Sequence, residues 1–493
     1  MFGISEYSSR FANKLKIDAA HLDDPKTPFK TVIIGDNATG KTRLLTSIIE
    51  VFRFVSAIQN KYSDFEKSTT IIDVKKELST TKRFHTEILN SYGPIEISYR
   101  YGRNRYQIKV NTSAVDYFKN EKACMPFELE LPNRLLAITT TYNDKFPYTD
   151  NSRNDFYKYC GIKETSNASW TATLTRKTIE NLLNLTNKAS PIKALFEQLQ
   201  LEATIRVNFK PLRLNDFKKT IISPSQITDA VHKYSRKQNR MQVDLSRKLD
   251  PDRINELIKS LQTLQFDGKE CFVVIDLLAG ADNSTLYEAL DILRRVGLIK
   301  NLELQLFRER SVTSYPFSSA SSGETQLLYS FSSILRYAEN HSILFIDEPE
   351  ISLHPNWQIR YVTLLKKTLS HVTNCHVFIA SHSHFIISDL DQQHSSLHCV
   401  KKTNNSISIE NIHYSTFAWS PESILYSAFN VRTVGNLSFE RDLNKALDLI
   451  STKSKDIPTL ISLGNKLSSV VFDENDPLNE VVNSVMDYIH DHQ

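Results

Sequence analysis

Gly35, Gly40, Lys41 and Thr42 follow one another as G-x-x-x-x-G-K-T within GDNATGKT, a spacing suited to holding a polyphosphate. The two glycines let the backbone bend so that successive N–H groups, across Asp36, Asn37, Ala38 and Thr39 and on to Arg43, turn inward on phosphate oxygens. Lys41 then reaches the β and γ phosphates of a nucleoside triphosphate, and the Thr42 hydroxyl is placed to ligate Mg²⁺. An ordinary tight turn can show the same letters by chance, but the flanks argue against that. TVII before the stretch reads as a buried strand, and KTRLLTSIIEVF after it reads as a helix with Leu44, Leu45, Ile48 and Ile49 on one face. The positive N-terminal end of that helix adds to the anion site. The chain has only 12 glycines, and Gly35/Gly40 is the one pair that opens this pattern. GDNATG also lacks the G-x-G-x-x-G spacing of a dinucleotide fold.

Triphosphate hydrolysis needs a second set of groups, and three further stretches supply candidates. SILFIDE reads as a strand ending in Asp347, which would hold Mg²⁺ through water, and Glu348, which would act as general base on the attacking water. CFVVID also ends a strand in an acid, Asp276, but no glutamate follows, so Asp276 reads as structural. Ser321, Ser322, Gly323 and Glu324 precede an apolar helix, and Ser321 with Glu324 fits a capping box whose exposed N–H groups and hydroxyl form another anion site. VFIASHS is a strand leading to His382, whose ring can hydrogen-bond a γ-phosphate. Each of these has a plain alternative: a buried strand with an acidic loop, a well-capped helix, a surface histidine. Their order along the chain is what gives them weight.

That order, GDNATGKT, SSGE, FIDEPE, SLHP, ASHS, resembles the ABC-type ATPases of the SMC/RecF/OLD-like branch. The resemblance covers roughly residues 1–145 and 310–390. It implies an α/β P-loop NTPase head, a mixed sheet with flanking helices plus an antiparallel β layer, that hydrolyses ATP to ADP and phosphate with Mg²⁺. By this likeness SSGE stands for the signature motif, so Ser321 and Gly323 contact the γ-phosphate of ATP held by the opposite subunit. Asp347 and Glu348 are similar to the Walker B pair, Ile351–Pro355 to the D-loop, and His382 to the switch histidine. The family usually places a glutamine after a strand between the two motifs. Here RLLAITTT runs into YNDKF with no glutamine, and Asn143 is the candidate for its place. Because the chain carries one of each element, the resemblance implies a homodimer or higher homo-oligomer with ATP sandwiched between copies.

The elements that must position these groups divide the chain into four stretches. Residues 1–145 form the N-terminal half of the head, with short strands first and a hairpin where PIEISYRY and RYQIKV alternate about Gly102-Arg103-Asn104. Residues 146–310 form an insertion with broken patterns, read as a compact helical arm. Residues 311–390 form the second half of the head, and residues 391–493 a strand pair followed by helices. Within the insertion, residues 206–248 hold 11 Lys/Arg against three Asp/Glu, more net charge than the +4 of the whole chain. Lys218, Lys219, Lys233, Arg236, Lys237 and Arg240 are candidates for tracking a double-stranded DNA backbone, against the plainer reading of a solvated helix face. A length of 493 residues with 40% hydrophobic and 24% charged residues is ordinary for a globular protein. No run reaches the length of a spanning helix and no leader pattern opens the chain. Five scattered cysteines without a C-x-x-C pair suit a reducing cytoplasm.

Three functions compete. TTTYNDKF and PESILYSAFNVRT resemble the ATPases of the Septu and retron-associated type, or of the PARIS type; this implies an anti-phage sensor and scaffold controlling a separate effector nuclease, of HNH or TOPRIM type. The alternative is a RecF-like repair ATPase that binds DNA directly, supported by the basic segment. A transporter subunit is disfavoured by the missing glutamine and the long insertion.

Overall fold

The computed structural model describes residues 2–9, 12–17, 26–36, 39–65, 83–141, 144–149, 155–163, 170–212, 225, 227–229, 251–268, 270–300, 302–311, 313–391, 393–403, 406–412, 437–452, 456–468 and 478–491. The chain separates into two units, 1–419 and 420–493.

The sheet that carries the phosphate loop is built from β3 (Phe29–Gly35), β8 (Arg134–Ile138), β9 (Tyr157–Cys160), β15 (Ser342–Asp347), β16 (His376–Ser381), β17 (Ser395–Thr403) and β18 (Ser406–Ile412). Their order is β18-β17-β3-β16-β15-β8-β9. All neighbours from β17 to β9 are parallel, and β18 closes one edge as an antiparallel partner of β17. Parallel strands are covered on both faces, which is why Val32–Ile34, Ile343–Ile346 and Val377–Ala380 are continuous apolar runs and why β3, β15 and β16 are buried throughout. The register has a functional consequence. Ile34 pairs with Ser381 and Asp347 with Ala380, so Gly35, Asp347, Glu348 and His382 all fall at the carboxyl edge of three adjacent strands.

A second, antiparallel layer comprises β1 (Phe2–Ser9), β2 (Ala12–Lys16), β4 (Ile95–Tyr101), β5 (Asn104–Val110), β6 (Val115–Lys119) and β7 (Lys122–Ala123), in the order β2-β1-β4-β5-β6-β7. The expected hairpin is β4–β5, with Ile95 opposite Val110. Helix α1 (Lys41–Phe65) shares one core with both sheets: Leu45, Ile48, Ile49 and Phe52 pack with Ile4, Tyr99 and Ile108 of the antiparallel layer and with Ile33, Phe345 and Phe378 of the parallel one.

The insertion differs from the helical arm expected of it. Helices α2 (Trp170–Leu183), α3 (Ala189–Gln198), α4 (Pro251–Ser260) and α5 (Ser284–Arg295) accompany a five-stranded antiparallel sheet. Its strands are β10 (Leu201–Phe209), β11 (Gln265–Asp267), β12 (Glu270–Asp276), β13 (Glu303–Arg308) and β14 (Ser314–Pro316), ordered β11-β12-β10-β13-β14. The central strand β10 pairs with β12 and β13, both far along the chain, so no local hairpin pattern announces it. Of the basic segment, only residues 206–212, 225 and 227–229 are described. Lys218, Lys219, Lys233, Arg236, Lys237 and Arg240 lie outside the described residues, as does PESILYSAFNVRT.

After the insertion come α6 (Ser322–Tyr337), α7 (Pro355–Thr368) and the short α8 (His384–Ile387). Helix α6 is tied to the insertion by Asn181 Nδ2, which donates to Ser333 Oγ at 2.8 Å. The second unit contains α9 (Leu437–Ser451), α10 (Ile457–Ser468) and α11 (Leu478–Asp491), with its own core of Leu443, Ala446, Leu460, Leu467, Val485 and Ile489. Among the described residues no helix is long and apolar enough to cross a membrane.

Candidate nucleotide site

Strand β3 ends at Gly35, whose φ of +150° disfavours any side chain. A Cβ there would stand 2.3 Å from the Val400 carbonyl oxygen of β17, so neighbouring backbone passes where a side chain would be. Asp36 follows and its carbonyl accepts from Thr39 Oγ1 at 2.8 Å. Asn37 and Ala38 lie outside the described residues. Gly40 has φ +95°, and α1 begins at Lys41, so the N–H groups of its first turn are those that a helix leaves without partners within itself.

Lys41 is buried. Its Nζ donates to Gly35 O at 2.8 Å, to Asp36 O at 3.0 Å and to His382 Nε2 at 2.8 Å. An ammonium only donates, so Nε2 is the accepting nitrogen of a neutral ring. Burial, then the nearby Lys41 charge, hold the His382 pKa below its ordinary value. Burial likewise lowers Lys41 to about 8, against the raising effect of Glu348, Asp347 and Glu350.

Thr42 Oγ1 donates at 3.0 Å to both oxygens of Asp347, the last residue of β15. Asp347 is 4% exposed, and burial raises its pKa to about 7 even though the Thr42 hydrogen bond opposes it. Glu348 takes φ +49°, left-handed for a non-glycine residue, with its N–H on Ala380 O at 2.9 Å. Its Oε1 stands 3.7 Å from His382 Nε2. The structure therefore brings Lys41, Thr42, Asp347, Glu348 and His382 into one connected cluster. The donor set fits a hard cation and a polyphosphate: a carboxylate and a hydroxyl offer oxygen ligands, and a buried ammonium and helix N–H groups offer anion contacts. Magnesium bound there would screen phosphate charge during transfer.

The Arg43 side chain turns aside, donating to Ser91 O and lying 5.9 Å from the Tyr92 ring, while its backbone N–H stays in the first turn of α1 where the phosphate contact is expected. Arg43 and Tyr92, with Tyr7, Leu44, Val400, Ile407 and Ile409, line a cleft beside Gly40 that sequence reasoning missed, because its walls come from stretches far apart in the chain.

The Ser321–Glu324 capping box is present: Glu324 N–H donates to Ser321 Oγ at 3.2 Å, and Ser321 N–H to Glu324 Oε2 at 2.9 Å. Ser321 and Ser322 are exposed. Gly323 is buried, and a Cβ there would meet the Trp357 ring at 2.7 Å and Ser352 O at 2.9 Å. The box thus packs on the loop after Glu348, and among the described residues no hydrogen bond joins it to Lys41, Thr42 or His382. Asp276 caps a 3₁₀ turn through Leu278 N–H at 2.8 Å and sits in the insertion sheet, away from the parallel strands. Asn143 lies outside the described residues.

Two acidic or basic residues escaped the sequence reading. Glu350 accepts from Ser381 Oγ at 2.9 Å and from His382 N–H, and burial raises its pKa. Arg308, at the end of β13, places Nη1 2.6 Å from Glu324 Oε1. The third carboxylate in DEPE was a visible signal for Glu350; Arg308 had none.

A parallel sheet with a G-x-x-x-x-G-K-T loop at its carboxyl edge and an acid-ended neighbouring strand defines a P-loop nucleoside triphosphatase. The chain belongs to the AAA ATPase domain family, whose profile matches residues 14–387, and it is an ATPase. No curated protein matches it in sequence. Among solved structures, the Smc head domain with an extended coiled coil bound to the C-terminal domain of ScpA, from Pyrococcus furiosus, is 12% identical, covering 88% of this chain and 100% of its own at a TM-score of 0.33. The SMC head domain from Thermotoga maritima is 9% identical, covering 83% and 99% at a TM-score of 0.32. The recombination mediator protein RecF is 13% identical, covering 83% and 98% at a TM-score of 0.28.

Proposed function

We propose that the chain is an ABC-type, SMC/RecF-like ATPase whose catalytic centre is completed between two copies. The observation that carries this reading is the separation just described. Lys41, Thr42, Asp347, Glu348 and His382 form one cluster, while Ser321 and Ser322 present an exposed, capped helix end that serves none of them. On this reading the helix end meets the γ-phosphate held by a second copy. Lys41 and the helix N–H groups hold the phosphates, and the cleft at Tyr7 and Tyr92 takes the base. Thr42 and Asp347 hold Mg²⁺. Glu348 accepts a proton from water as the bond from water oxygen to γ-phosphorus forms and the bond to the β–γ bridging oxygen breaks. His382 donates a hydrogen bond toward the γ-phosphate from the ring that otherwise rests on Lys41. Glu348→Gln slows hydrolysis by about 100-fold or more while leaving binding intact, and so accumulates ATP-dependent dimers on a sizing column. Unchanged turnover would remove Glu348 as base, and a variant monomeric in ATP would remove the shared site.

The biological role built on this engine is a nucleotide-gated sensor and scaffold of an anti-phage system that restrains a separate effector nuclease. Support comes from the likeness of TTTYNDKF and PESILYSAFNVRT, and from the Arg308–Glu324 contact, which gives the insertion a hold on the capped helix end. Co-purification with a nuclease encoded beside it tests this role. The net charge of residues 206–248 favours a second reading, direct DNA binding. In the described part of that segment, however, Arg206 stacks 3.7 Å from the Phe272 ring centroid and Lys210 pairs with Glu270 at 3.0 Å, so the fold already engages both. Duplex affinity that falls steeply with salt and vanishes when the segment's lysines become glutamates would favour the DNA reading.

A further inference from the structure

We propose that Glu350 is a positioning residue for ATP hydrolysis, its carboxylate fixing the turn that holds the His382 ring between Lys41 and Glu348. The proposal rests on the role given to His382 above.

Glu350 lies in the loop that follows β15, and its side chain crosses to the end of β16. One oxygen, Oε2, accepts from Ser381 Oγ at 2.9 Å; the other, Oε1, accepts the backbone N–H of His382. Ser381 Oγ in turn accepts Ser383 N–H at 2.9 Å. The far side of the turn is held by Gln358 of α7: its Oε1 accepts from Ser383 Oγ at 2.6 Å, and its Nε2 donates to Leu353 O at 2.8 Å. Residues 381–383 are therefore clamped twice, and both clamps come from the segment 350–358 that begins two residues after Glu348.

Burying a carboxylate is costly unless a cation or strong donors compensate it. Among the described residues no lysine or arginine lies in ion-pair contact with Glu350; besides its own backbone N–H, its carboxylate is met by the two donors of the His382 turn. The amide that Glu350 holds belongs to the residue whose ring meets Lys41 at 2.8 Å and Glu348 at 3.7 Å, so a displaced amide displaces the ring directly. An error of about 1 Å in such a group costs roughly 100-fold in rate.

The test uses the full chain and steady-state ATP hydrolysis alongside nucleotide affinity. Glu350→Met removes both acceptors and keeps the volume filled; kcat is expected to fall about 10–100-fold with affinity changed less than about threefold. Glu350→Gln keeps an acceptor for His382 N–H and a partner for Ser381 Oγ, and should hold kcat within about fivefold of the parent. In a His382→Ala background, Glu350→Met should add less than about twofold, because both changes act through one ring. Should the Met variant fail to fold, Ser381→Ala is the milder probe, expected to slow the parent and not the His382→Ala chain. Glu350→Gln as inactive as Glu348→Gln, or losses that multiply with His382→Ala, would overturn the proposal. A His382→Ala chain at full speed refutes the role of His382 and this proposal with it, whereas a slow His382→Ala chain beside a fast Glu350→Met chain refutes this proposal alone.

Discussion

Arg308 and Glu324 join the insertion to the capped helix: Nη1 of the arginine lies 2.6 Å from Oε1 of the glutamate, whose other oxygen receives Ser321 N–H at 2.9 Å. The carboxylate is 6% exposed and the arginine 45%. A half-exposed pair of this kind contributes about 1 kcal/mol or less to stability, so Arg308→Ala should barely move the melting point. Its effect should fall on turnover, lowered about 3–10-fold as the capping carboxylate gains freedom, with nucleotide affinity unchanged. Glu324→Ala also removes the cap and should cost about 1–2 kcal/mol in addition. Thermal melts and hydrolysis rates on both variants separate the two effects; a parent-like rate for Arg308→Ala breaks the proposed link between insertion and helix end.

Gly35→Ala is expected to disable nucleotide binding and destabilise the unit. The new methyl would stand 2.3 Å from a backbone oxygen of β17, and φ is +150°. Backbone cannot swing aside as a side-chain tip can, so the loop or β17 must shift, at a cost of about 2–3 kcal/mol. Denaturant unfolding measures the stability term and nucleotide titration the binding term. A variant that binds normally would show that the strand end is more tolerant than its geometry indicates.

Stability should fall with acid through His376. The ring is fully buried where the two sheets meet; Nδ1 accepts Ile4 N–H at 3.1 Å, which leaves the proton on Nε2 to donate to Thr31 Oγ1 at 2.9 Å. Phe29 and Phe378 flank it, and the buried His398 is the nearby titratable group. Burial, then His398, lower its pKa from 6.5 to about 3. A second proton would oppose the Ile4 N–H. The folded state thus prefers the neutral ring: the stabilisation is complete above the unfolded value near 6.5 and is lost as pH falls from there toward 3, by about 1.4 kcal/mol per pH unit. Urea unfolding at several pH values from 8 to 5 measures the slope. His376→Gln, which can accept and donate at the same two places, should flatten it; an equal slope in that variant assigns the acid sensitivity elsewhere.

The phosphate loop, the acid-ended strand and the capping box were legible because each is written in consecutive residues and is enforced locally, by backbone bending, by burial of an apolar run and by helix-end hydrogen bonding. What escaped depends on contacts distant in sequence. The insertion reads as broken helices because β10 finds its partners at β12 and β13, and a strand's alternation is weak evidence without its neighbours. The pair β17–β18 was visible as strands, but not the parallel bonding of β17 to β3 that brings Val400 against Gly35. Arg308 acquires meaning only once β13 ends beside α6.

Asp347 sets function against stability within a single side chain. The carboxylate is 4% exposed and lies among the charges of Glu348, Glu350 and Lys41, with the Thr42 hydroxyl donating to both of its oxygens at 3.0 Å. Without ligand, burial of that charge works against the fold. Asp347→Asn keeps the shape and an acceptor for Thr42, so the ligand-free protein should gain about 1–2 kcal/mol in stability, as commonly happens when a site is relieved of strain. Hydrolysis should fall about 100-fold or more, since an amide oxygen is a poor ligand for a hard cation. Linkage supplies a readout independent of activity: Mg²⁺ with a non-hydrolysable ATP analogue should raise the melting point of the parent, and the increment due to Mg²⁺ should largely vanish in the variant. A variant that melts lower than the parent without ligand, and still gains the full Mg²⁺ increment, would place the cation elsewhere and make Asp347 an ordinary buried acid.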